Sequence, residues 1–269
     1  MGRIGRSWKL MKTSFGVIKK DKEILIFPIL SMIVSALIVI SFFTSFFFLG
    51  GPEMISQPWV WVVIFVIYLL LYFVVIFFNT AVIGCAHIRL NGGDPTVHDG
   101  FQIATQHIGK IFQWAVISAT VGVILKAVRQ RHGLIGKILA GVVGFAWTYV
   151  TFFIIPVLIY EEKGVLSSIK RSADIFKRTW GETFIGSFGF GIIFGLLGLL
   201  GLIPIFLGVV MTNIYAIVIG FFTAFIYWII LGAVASATNG VYVAALYQFA
   251  TKRELPSEFD ASTIPQPIS

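Results

Sequence analysis

Between Gly164 and Trp180 the apolar residues Leu166, Ile169, Ala173, Phe176 and Trp180 recur at alternating steps of three and four, with Lys170, Arg171, Asp174, Lys177 and Arg178 between them. That spacing predicts an amphipathic helix, too short and too charged to cross a bilayer. Long apolar segments flank it, so it is expected to lie in the membrane plane with its charges at head-group level. The pattern occurs twice more. Trp8, Met11, Phe15 and Ile18 oppose Lys9, Lys12, Lys19 and Lys20 near the N-terminus, and Phe101, Ala104, Ile108 and Ile111 form the stripe in the middle. Each stripe precedes two long apolar segments, which predicts a surface helix plus a membrane hairpin used three times, over about residues 4–90, 94–162 and 164–251.

A membrane-crossing helix takes about 20 largely apolar residues. Six stretches are expected to cross: Ile24–Gly50, Trp59–Arg89, Ile111–Leu125, Ile138–Tyr160, Thr183–Met211 and Ile214–Ala250. The third is the shortest, and a start one turn earlier is open. Pro28 suits the beginning of the first span, and Pro156 lies near the end of the fourth. Glycines crowd the fifth; Gly191, Gly195 and Gly198 are the positions where a helix of this chain or of a second copy is expected to pack closely. The sixth is longer than a ~30 Å hydrocarbon core requires, so it should tilt or bend, with Gly232 and Gly240 as candidate bends. Residues 252–269 are polar and contain Pro256, Pro265 and Pro267, the composition of a disordered tail.

Composition sharpens this picture. With 58% hydrophobic and only 12% charged residues, the chain is expected to be an all-α, polytopic membrane bundle, a single transmembrane domain over residues 1–251 with no room for a soluble one. The net charge of +8 sits at the ends of apolar segments. This placement fits anionic lipid head groups rather than nucleic acid, and the expected head-group contacts are Lys12, Lys19, Lys20, Lys170, Arg171, Lys177 and Arg178. Of the 20 lysines and arginines, 16 fall on the side that carries the N-terminus and the three surface helices, which predicts that both termini face the cytoplasm. Lys126, Arg129, Arg131 and Lys137 are the exceptions. They read as residues snorkelling to outer head groups or as a basic vestibule for an anion. The run from Ile24 to Leu49 is too long for a signal-peptide core and is expected to be a retained span.

Chemistry is sparse. Cys85 is the single cysteine, so neither an internal disulfide nor a cysteine-cluster metal site can form. His87, Asp94, His98, Asp99 and His107 gather around the second connection, but their spacing matches no zinc motif; Asp99 and Thr96 suit helix caps. No nucleophile elbow, paired-histidine metalloprotease motif or phosphate loop is present. No catalytic residue, metal or cofactor is therefore expected. No charged residue lies deep within a span, which argues against an ion-coupled transporter. Asn79 and Asn239 are the polar groups expected to bridge helices or line a pathway. They also mark the repeat: they are 160 residues apart, while Ser14 and Ser172, Val17 and Ile175, and Lys19-Lys20 and Lys177-Arg178 are each 158 apart.

The segments SWKLMKTSFGVIKKDKEILIFPIL, GGDPTVHDGFQIA, WTYVTFFIIPVLIYEEKG and IKRSADIFKRTWGE, in that order, resemble an uncharacterised family of prokaryotic six-span membrane proteins over about residues 5–250. More loosely, the surface-helix and hairpin plan is similar to the membrane domain attached to some glycerophosphodiesterases. The resemblance implies a cytoplasmic-membrane location and transfers no catalytic residues. The first functional expectation is a non-enzymatic, homo-oligomeric protein forming a passive path for lipids or small solutes. The second is a structural or assembly partner that organises the membrane, and a membrane-embedded hydrolase is the third.

Overall fold

Prolines decide where the apolar segments break. The computed structural model describes residues 14–49, 59–131 and 133–252, without the side chains at 49, 131, 180–182, 184–187 and 252. Residues 14–20 form α1, followed by a 3-10 turn, Lys22–Leu25, and then α2, Ile26–Leu49. The other helices are α3 (Val60–Leu90), α4 (Val97–Gln106), α5 (Ile108–Arg131), α6 (Gly133–Val150), α7 (Ile154–Tyr160), α8 (Val165–Leu200), α9 (Leu202–Val210) and α10 (Ile214–Lys252). Among the described residues no strand occurs, and six helical segments are long and apolar enough to cross a membrane. The fold is an all-helical, six-span one.

Pro28, Pro156 and Pro204 each stand third in their helix. Proline has no N–H to donate, and its ring clashes with the carbonyl four residues earlier, so a helix cannot run through that point unchanged. The fourth span is accordingly not the single helix Ile138–Tyr160: it starts at Gly133 and breaks at Thr151–Phe153. The fifth breaks at Gly201 ahead of Pro204. The freed backbone groups find partners. The Phe153 N–H donates to Ser172 Oγ at 3.0 Å, and the Leu197 and Gly198 carbonyls accept from Tyr227 OH (2.6 Å) and Trp228 Nε1 (3.0 Å).

Three further boundaries differ from the sequence expectation. Residues Ile108 and Ile111 belong to α5, because the middle surface helix already ends at Gln106. Span three runs on to Arg131, which puts Lys126 and Arg129 on a helix rather than in a loop; the Lys126 ammonium lies 5.4 Å from the centre of the Tyr68 ring. The third amphipathic segment and the fifth span meet without a loop: α8 is two helices joined at Thr179, whose non-helical φ of −120° and ψ of 18° mark the kink between them. Trp8, Met11, Lys12, the side chain of Trp180 and the tail from 253 onward lie outside the described residues.

The chain forms two compact units. The first comprises the described parts of Met1–Ile29, Cys85–Val97 and Arg178–Ser269. Its core holds Val17, Ile24, Phe27 and the second half of α10, where every residue from 241 to 249 is buried. The first half of α10 is mostly exposed and packs against α9. The second unit comprises Leu30–Gly84 and His98–Lys177. There α5 packs on α6, Trp114 stacks on Trp147 (5.6 Å between rings), and Ile154–Ile159 of α7 is buried on all sides.

Candidate functional site

In the second unit, α8 turns an unexpected face inward. Val165, Ser168, Ser172 and Ile175, spaced three and four apart, are buried. The small serines let the helix approach its neighbours closely, and Ser168 Oγ donates to the Gly164 carbonyl at 3.0 Å. The apolar stripe read from the sequence takes only part in this contact: Leu166 is 72% exposed, Ile169 and Ala173 are half-buried, and Phe176, also half-buried, packs on the Tyr149 ring of α6 (5.3 Å between rings). Lys170, Lys177 and Arg178 are exposed on the same helix.

Arg171 is placed differently. Its Nε donates to both oxygens of Glu161 at 2.9 and 3.0 Å, and Lys163 Nζ donates to Glu161 at 2.6 Å. Glu162, with a φ of 50°, takes the turn between the two partners of this cluster. Burial of Glu161 disfavours its charge, but the hydrogen bonds from Lys163 and Arg171 outweigh that and hold its carboxyl below the usual 4.5. A depressed folded pKa stabilises above the unfolded value and loses that contribution as pH falls through the folded one. Thermal unfolding in nanodiscs should therefore lose stability as pH drops below about 4.5, and Glu161→Gln should flatten the dependence. Equal slopes in both proteins would remove Glu161 as its source.

The start of α8 also walls a groove. Phe112, Gln113, Val116 and Ile117 of α5 face Gly164–Ser167 across an open space of about 730 Å³, mostly apolar in lining. Lys110, on the side of α5 that carries Ile117, donates from Nζ to the Leu158 carbonyl at 3.1 Å.

The first unit has its own polar knot. Gly92 takes a φ of 86°, and the Gly93 and Gly92 N–H groups donate to the Ile88 (3.0 Å) and Arg89 (2.9 Å) carbonyls, closing α3 with a left-handed cap that folds the chain back. Asp94 is thereby brought to Arg89. The Arg89 guanidinium also bonds both carboxylate oxygens of Asp21, whose side chain is 4% exposed against 18% for Arg89 and 90% for Asp94. Nearby, the Val97 N–H donates to Glu23 at 3.0 Å and Gln248 Nε2 to Asn91 Oδ1 at 2.8 Å. Three distant segments of sequence are thus tied together.

The other residues singled out from the sequence are dispersed. Asp94 belongs to the Arg89 knot, and His107 Nδ1 lies 2.9 Å from the Ile103 carbonyl. Among the described residues no three His, Cys, Asp or Glu side chains are placed to hold a metal. Asn79 and Asn239 are half-buried, and Lys19 and Lys20 exposed. A methyl group at Gly191 or Gly195 would meet no atom within 4 Å, and one at Gly198 only Leu231 Cδ2 at 4.0 Å. Sequence reasoning missed Asp21, Arg89, Lys110 and Glu161. The signal for two of them was an acid inside a basic interfacial run, KKDKE and YEEKG.

Six crossing segments and an all-helical chain define a multi-pass membrane protein. It belongs to a family of unknown function, DUF6159, whose family model covers residues 59–255. No curated protein matches the chain.

Proposed function

We propose that this protein is a non-enzymatic lipid-handling protein that offers lipid a passive path along the interfacial part of α8. The observation behind this reading is the two-faced helix: serines and Val165 engage the protein, while Leu166, exposed, and Lys170, Lys177 and Arg178 remain for a bilayer surface. Lipid is favoured over small polar solutes because the space beside this helix is apolar. Each basic residue near an anionic surface contributes about 1 kcal/mol, so these three add up to about 3 kcal/mol before salt screening. Arg171 is excluded from that set by its bonds to Glu161.

Changing Lys170, Lys177 and Arg178 to Gln should leave the spans inserted, since their apolar residues are untouched. Retention of phosphatidylglycerol from mixed nanodiscs should fall, and the helix should become more open to protease. Unchanged lipid retention and proteolysis would assign these charges to another partner.

A further inference from the structure

We infer that the groove between α5 and the start of α8 holds one acyl chain of an anionic phospholipid, with its head group at Lys110. The inference deepens the lipid reading above and rests on it. The groove's size, about 730 Å³, falls in the range of ligand sites, about 300–1,000 Å³. Phe112, Val116, Ile117, Val165 and Leu166 supply most of its wall as hydrocarbon; of the polar lining residues, Ser167 already donates to the Gly164 carbonyl at 2.7 Å, which leaves Gln113. A polar ligand would leave its own polar atoms unpaired there; an acyl chain loses nothing.

The charge at one end selects the head group. Lys110 precedes Gln113 by one helical turn and Ile117 by two, so it stands where the lining side of α5 begins. Among the described residues the hydrogen-bond partner of its ammonium is the neutral Leu158 carbonyl, with no carboxylate to balance the charge. On the face of α5 that carries Phe112, Gln113 and Val116, the next residue toward the helix start is Gly109, beside Lys110, exposed and with open space where a side chain would stand. A chain in the groove can therefore run past Gly109 and bring a phosphate to Lys110. An ammonium with one neutral partner keeps two donors for it.

The test uses the full chain in nanodiscs with phosphatidylglycerol carrying a diazirine in one acyl chain, followed by peptide mapping of the adducts. Adducts should concentrate on residues 112–117 and 164–167. Val116→Trp, which fills the groove, should reduce them several-fold, and so should Leu166→Asp, which alters an exposed wall without touching the core. Lys110→Gln should keep the adducts but lower the preference for phosphatidylglycerol over phosphatidylcholine about fivefold, the effect of one basic residue at an anionic surface. Adducts spread evenly over the exposed apolar helices, or unaffected by both groove variants, overturn the site. An unchanged lipid preference in Lys110→Gln overturns the head-group assignment. The interfacial-helix reading is judged separately by the Lys170, Lys177 and Arg178 variant, which leaves the groove and Lys110 intact.

Discussion

Replacing Arg89 by leucine should cost about 3–5 kcal/mol of stability, because it leaves the Asp21 carboxylate buried without its partner. Asp21 is 4% exposed and sits between α1 and the 3-10 turn, so water cannot take over from the guanidinium that bonds both its oxygens. The two arms of Arg89 should differ sharply. Asp94 is 90% exposed, and Asp94→Asn should cost less than about 1 kcal/mol, as exposed pairs do. The double variant Asp21→Leu with Arg89→Leu should be more stable than Arg89→Leu alone, since it removes the unpaired charge as well. Unfolding of the four proteins in one detergent, followed by tryptophan fluorescence, gives the comparison. If Asp94→Asn were as damaging as Arg89→Leu, the exposed arm, not the buried one, would carry the stability of this knot.

Alanine at Gly208 or Gly220 should destabilise the α9–α10 hairpin by about 1–3 kcal/mol each, whereas alanine at Gly195 should be neutral or gain up to about 1 kcal/mol. A methyl at Gly208 would lie 2.6 Å from the Ala216 carbonyl oxygen, and one at Gly220 would run into the Pro204 carbonyl. Both obstacles are backbone, so the helices must part. Gly195 faces open space within the chain, and there alanine simply improves helix propensity. Thermal unfolding of the three variants decides it by sign. A loss at Gly195 equal to that at Gly208 would show that another helix, from a second copy, covers that face.

Much of the architecture was legible because it follows from local chemistry. Runs of about 20 apolar residues can be satisfied in a bilayer only as helices, whose backbone groups pair within the segment. That requirement fixes six crossings and no strand without reference to what packs on what. The 3.6-residue period likewise marked the helix that begins α8. Its inward face was hidden, since Ser168 and Ser172 look polar in a hydropathy pattern and become core residues only where a neighbour comes close. Burial at Ser14, Val17 and Asp21, and again at Ser172, Ile175 and Thr179, falls at the same 158-residue spacing as the sequence match.

The sequence alone therefore determined the number of crossings and the helical class, because hydropathy and period act over one or two turns. Tertiary structure decided the rest. Arg171 reads as one more surface cation until Glu161, ten residues earlier, is folded against it, and Asp21 reads as a solvated acid until Arg89, 68 residues later, meets it. Gly208 and Gly220, which the backbone of the facing helix crowds, are indistinguishable in sequence from Gly191 and Gly195, which face open space. Pairing and close approach depend on which helix lies opposite. No stretch of a helix encodes its neighbour, so these contacts exist only once the chain has packed.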